Sequence, residues 1–109
     1  MDTISILLDI ENAVTQWLFS ATPQTAEDQL QMTKVLAARD RLVASINALV
    51  LQRVQVAASN LVAQTQALES LNEKLKSTAS TIATAQTVIG IASDVLGITA
   101  TIASIIAAA

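Results

Sequence analysis

The chain has no cysteine, no histidine and no tyrosine, and only one proline, two glycines, one phenylalanine and one tryptophan. Without cysteine there is no disulfide, no thiolate nucleophile and no zinc-thiolate site, and the redox compartment is left open. Charge is also sparse: 14% of residues against about 25% in an ordinary soluble domain. Nine acids against six bases leave a net charge of −3, with no basic stripe of interleaved aromatics, so nucleic acid is not an expected partner. Met1-Asp2-Thr3-Ile4-Ser5 lacks the positive start of a secretory signal, and Asp9 and Glu11 interrupt the apolar stretch behind it. A cleavable signal peptide is not expected, and localisation is otherwise undetermined.

What remains is aliphatic. Hydrophobic residues make up 52% of the chain, almost all of them Ala, Val, Ile and Leu, which suits helices packed along their length. The 109 residues have room for one domain. The fold class is all-α: an N-terminal helix over 3–20, a long coiled-coil-like helix over 25–76, and an apolar C-terminal helix over 77–109, together expected to form an elongated antiparallel bundle. In the first, Ser5, Asp9, Asn12 and Gln16 form a narrow polar stripe and apolar residues cover most of the rest, so more than one neighbour should cover it. Around Pro23 a new helix starts, either with Thr22 as cap and Pro23 at N1, or with Thr25 as cap and Asp28 three residues on.

No strong helix breaker lies between Gln24 and Ile89. An unbroken helix from Ala26 to Lys76 would be roughly 75 Å long. Leu36, Val43 and Val50 recur every seven residues. After a four-residue step the series resumes at Val54, Leu61, Leu68, Leu75, Ile82, Ile89 and Leu96, a heptad seam with one stutter. Val35, Leu42, Leu49 and Val56 form a second row beside it. Ser77-Thr78-Ala79-Ser80-Thr81 weakens a helix without ending it; a bend there would let the third segment cover Leu61, Leu68 and Leu75.

Beyond Lys76 the only charge is Asp94. Val88, Ile91, Val95, Ile98, Ile102 and Ile105 form one stripe; Gln86, Gly90, Ser93, Gly97, Thr101 and Ser104 form another, with Asp94 at its edge. Ile82 to Ile106 is 25 residues, long enough to cross a bilayer of roughly 30 Å. Its Ile, Leu and Val residues favour insertion by about 3 to 6 kcal/mol, and Asp94 opposes it by about 2.5 to 3.5. Seven Ser, Thr and Gln residues and two glycines bring the sum near zero. A lone helix is therefore a marginal span. In a homo-oligomer Asp94 and the small residues would face one another or a water-filled lumen, and most of the polar cost would vanish. Val88, Ile91, Asp94, Val95, Gly97, Ile98, Ile102 and Ile105 are thus the candidate membrane or oligomer interface. The competing expectation buries the Ile stripe in a soluble bundle with Asp94 at its rim.

Catalytic chemistry is not in evidence. Glu69 and Glu73 share a face, but Lys74 and Lys76 follow and a solvated mixed-charge surface explains them. Glu27 and Asp28 complement the macrodipole of the helix they open. Arg39, Asp40, Arg41 and Arg53 form the one concentrated charged patch, a solvated surface that also permits pairing between chains. Trp17 reads as a packing residue, because the polar stripe beside it lacks the basic residues of a helix drawn to anionic lipid. No phosphate loop, metal-ligand spacing or nucleophile motif occurs. The chain is read as a non-enzyme with no cofactor, no metal and no small-molecule substrate.

The layout resembles that of α-helical pore-forming toxins and their accessory components, in which coiled-coil helices lie beside an uncharged segment able to leave for a membrane. No residue motif carries that resemblance, and this chain is much shorter than those toxins. The leading expectation is a membrane-active protein that oligomerises and inserts its C-terminal helix, with a homo-oligomer or helical partner protein and a possible membrane as its partners. The alternative is a structural subunit of a soluble helical assembly or filament, such as a secretion or phage-like apparatus. A tail anchor, with Lys74 and Lys76 held on the cytoplasmic side, is a third.

Overall fold

A computed structural model describes residues 3–51 and 60–108. They form four α-helices: α1 (Thr3–Ser20), α2 (Ala26–Leu51), α3 (Val62–Lys76) and α4 (Ala85–Ala108), the last preceded by a 3-10 turn over Ile82–Thr84. There is no strand among the described residues.

Each boundary has a local cause. At the start of α2, the Asp28 backbone N–H donates to Thr25 Oγ1 at 3.0 Å, while Asp28 Oδ2 accepts from the backbone N–H groups of Gln24 and Thr25 at 3.0 and 3.3 Å. This is the reciprocal capping box, and it selects Thr25 over Thr22 as the cap. At the end of α3, the Ser77 and Thr78 hydroxyls both donate to Lys74 O, at 2.9 and 2.8 Å, occupying a terminal carbonyl that a continuing helix would have used. Thr84 Oγ1 then lies 2.6 Å from Ala79 O and 2.7 Å from Thr81 O, closing the turn into α4.

The helices pack as two hairpins laid face to face. Arg39 on α2 reaches Glu11 and Thr15 on α1, while Leu18 and Phe19 lie near Met32 and Leu36, so α1 and α2 are antiparallel. Thr3 pairs with Thr65, and Asp9 with Asn72 and Lys76, so α1 and α3 run parallel. The main contacts are α1 with α2 and α3, and α4 with α2 and α3. The chain measures 48 × 22 × 17 Å.

Two sequence expectations are corrected. A single rod from 25 to 76 does not form: α2, described over Ala26–Leu51, runs antiparallel to α1, whereas α3, from Val62, runs parallel to it. A rod would leave the apolar rows of both halves in water, whereas reversal brings Leu42 and Leu68 to full burial in one core. The stutter, Val54, Val56 and Arg53 lie outside the described residues. Within α2, the row that enters the core is Val35, Leu42 and Leu49 with Ile46. The row assigned to the seam, Leu36, Val43 and Val50, faces outward, with Leu36 at 47% and Val50 at 50% exposure and Val43 half-buried.

The core is aliphatic and continuous. Ile6, Leu7, Ile10, Val14 and Trp17 enter it from α1, Leu68 and Leu75 from α3, and Val88, Ile91, Val95 and Ile102 from α4. Trp17 is a packing residue, fully covered, and its indole N–H donates to Thr84 Oγ1 at 2.9 Å. A tryptophan buries well only when that N–H finds an acceptor.

Candidate functional site

The feature that stands apart from an ordinary bundle is α4 with its 3-10 lead-in. Ile82–Ala108 is the one stretch, among the described residues, that is long and apolar enough to cross a membrane. Residues at three- and four-residue spacing share a helix face. That rule divides α4 in two, and the structure turns the two halves in opposite directions.

The aliphatic half faces inward. Val88, Ile91, Val95 and Ile102 are buried, with Ala92 and Thr99 beside them, and Ile98 and Ile105 are half-buried against the same core. The small half faces out: Gly90, Ser93, Asp94, Gly97, Ala100, Thr101 and Ser104 are all exposed. The eight candidate interface residues therefore do not form one surface. Six belong wholly or partly to the core, whereas Asp94 and Gly97 lie on the open face. Only 28% of the most apolar stretch of α4 is buried inside the bundle.

Both glycines of the chain sit on the open face, in mid-helix. A Cβ at Gly90 or Gly97 would meet nothing within 4 Å. Glycine in a helix interior is less stable than alanine by roughly 0.5 to 1 kcal/mol, and the bundle offers no close approach to explain either one. On the α3 side, Ala67, Ser70 and Leu71 line a shallow open trough with Asp94, Gly97 and Thr101. Asp94 has no ion pair among the described residues.

The hydroxyls of α4 are partly self-satisfied. Thr99 donates to Leu96 O at 2.8 Å and Thr101 to Gly97 O at 3.2 Å. A threonine bonded to its own helix takes its partner along wherever the helix goes. On the shaft of α4 an exposed side-chain hydrogen bond reaches another helix: Gln86 Nε2 donates to Gln31 Oε1 on α2, at 2.9 Å. α4 is thus held to the bundle mainly by aliphatic packing.

The stronger polar contacts hold α1 instead. Asp9 Oδ2 accepts from Lys76 Nζ at 2.6 Å and from Asn72 Nδ2 at 2.7 Å. The Lys76 hydrogen bond, then the Asn72 one, hold the Asp9 carboxyl below the usual carboxylate range, against some opposition from desolvation. Asn72 is itself buried, and its Oδ1 has no hydrogen-bond partner among the described residues. The sequence puts Asp9 on a polar stripe and Lys76 on a mixed-charge face, with nothing to connect them. Their separation of 67 residues leaves no local pattern to read. Arg39 leaves its expected solvated patch in part, with Nε donating to Thr15 Oγ1 at 3.2 Å.

No group of acidic side chains able to hold a metal ion occurs among the described residues. No protein family, curated protein or solved structure matches this chain.

Proposed function

We propose that the protein is a membrane-active helical component, folded in water as this bundle, whose α4 transfers to a bilayer when several copies assemble. The observation that carries the reading is the two-faced construction of α4: one charge in the whole membrane-length stretch, an aliphatic face covered in water, and an open face of small residues. In the assembled form the aliphatic face turns to lipid. Asp94, Gly97 and the small residues turn to neighbouring copies of α4 or to a water-filled lumen.

The energetics support a conditional transfer. Burying Val88, Ile91, Val95 and Ile102 contributes about 1.5 to 3 kcal/mol each, so removing α4 forfeits an amount comparable to a domain's whole stability of about 5 to 15 kcal/mol. In water α4 stays docked. Lipid returns the apolar part of that loss, and assembly removes the penalty at Asp94. Thr99 and Thr101, bonded to their own helix, add less to the polar cost than their composition suggests. The same construction fits no catalytic role, and the chain is proposed to be a non-enzyme.

The test is flotation with liposomes together with release of an encapsulated dye. Co-flotation and concentration-dependent release are expected; protein left in the aqueous fraction with no leakage removes the proposal. A second reading, a structural subunit of a soluble assembly, draws on the outward Leu36 and Val50 of α2. It predicts large regular particles without lipid or detergent.

A further inference from the structure

The fold leaves a second surface uncovered, on the opposite hairpin from α4. Phe19 is 82% exposed, Leu36 47% and Leu8 44%. Leu18, Phe19, Met32 and Leu36 line a groove between α1 and α2, a cavity of about 420 Å³ that Thr15 and Arg39 close at one end. Beyond Arg39 the apolar character resumes. The antiparallel register that places Glu11 against Arg39 sets Leu8, one turn earlier in α1, level with Val43, one turn later in α2.

The face therefore reads apolar, charged, apolar: Phe19 and Leu36, then Arg39 and Asp40, then Leu8 and Val43. A two-fold axis through the centre of such a pattern lays Phe19 on Leu8 of another copy and Leu36 on Val43. It also places Arg39 opposite Asp40, and Asp40 opposite Arg39. From this charge self-complementarity we infer that the outer face of α1 and α2 binds a second copy of the chain, in an isologous two-fold dimer.

The state of Arg39 and Asp40 within one copy supports this. The guanidinium reaches Glu11 at 3.7 Å and Asp40 at 3.6 Å, both long for a charge-assisted hydrogen bond, which closes to about 2.7 to 2.9 Å. Among the described residues the guanidinium comes closest to Thr15 Oγ1, at 3.2 Å. The Asp40 side chain is 63% exposed. Both groups have capacity for a carboxylate or guanidinium from another molecule. Phe19 and Leu36 on one side of the charged centre, and Leu8 on the other, leave large apolar side chains in water for a partner to cover. This surface lies apart from α4, and the dimer forms without lipid.

Sedimentation of the full chain in buffer, from about 1 to about 100 μM, tests the dimer in the affinity range of small interfaces. A mass approaching twice 11.4 kDa is expected as concentration rises. Phe19→Asp and Asp40→Arg, both at exposed positions, should each weaken the dimer about tenfold or more with the helical circular dichroism unchanged. Mixing Asp40→Arg with Arg39→Asp should restore a heterodimer, because the swapped charges meet again across the axis. A monomer throughout the range overturns the inference, and so does a dimer that survives both Phe19→Asp and Asp40→Arg.

Discussion

Replacing Gly90 and Gly97 by alanine separates what the bundle needs from what the proposed assembly needs. Both positions are exposed in mid-helix with nothing within 4 Å of an added Cβ. Each substitution should stabilise the folded chain by about 0.5 to 1 kcal/mol. The sites lie roughly 10 Å apart along the helix, far enough for the effects to add to about 1 to 2 kcal/mol. In a domain of this size that raises Tm by about 4 to 10 °C, readable in a thermal melt by circular dichroism. In vesicles the same methyl groups would stand between close-packed copies of α4, so dye release should fall. A more stable bundle would also open less readily, and Asn47→Ala controls for that: Asn47 is exposed on α2, away from the small face. Release must fall further for the glycine variant than for a control of matched stability. A double variant that melts lower refutes the open placement of these glycines. A variant that melts higher yet releases dye like the control refutes assembly through the small face.

Asp94→Ile, at an exposed position, should shift the bundle's Tm by no more than about 2 to 4 °C, while increasing flotation of the monomer and reducing dye release by the assembled form. Cysteines at Gln31 and Gln86, whose side chains are hydrogen-bonded across α2 and α4, can be bridged with a short cleavable thiol crosslinker. Bridging should abolish dye release and cleavage restore it; release by the bridged protein would show that α4 need not leave α2. Asp9 is held below its ordinary pKa by Lys76 and Asn72, so its contribution to stability is full above the unfolded value near 3.9 and is lost as pH falls through the lower folded value. Melts from about pH 6 to about pH 2 should show that loss, and Asp9→Asn should remove that component of the acid dependence.

The division of α4 was legible in the sequence because its two stripes keep helical spacing and differ in chemistry. Which stripe turns inward depends on α2 and α3, whose placement no local pattern gives. The outward row of α2 shows where periodicity misleads. Val35, Leu42, Leu49 and Leu36, Val43, Val50 both repeat every seven residues. A buried face also needs apolar flanks: Ile46 stands three or four residues from members of both rows, but the second row is flanked on its other side by Asp40 and Asn47, the first by Ala38 and Ser45. That flanking pattern was the available signal. The opposite directions of α2 and α3 were harder to read: no glycine or proline lies between Leu51 and Val62, Ser59-Asn60 is a weaker turn signal, and Leu61, at the start of α3, makes no side-chain cap. Long-range polar contacts such as Asp9 with Lys76 and Trp17 with Thr84 arise only once the hairpins have docked.

Because the chain has no cysteine, one thiol introduced at Ile98 reports the position of α4 without background. Ile98 is half-buried in the bundle and would face lipid near mid-span in the proposed assembly. An environment-sensitive fluorophore there should shift to the blue on addition of liposomes and be quenched by nitroxides carried deep in the acyl chains. A label that stays accessible to aqueous iodide and insensitive to the lipid-borne quencher, on protein that binds the vesicles, would contradict the transfer of α4 into the membrane.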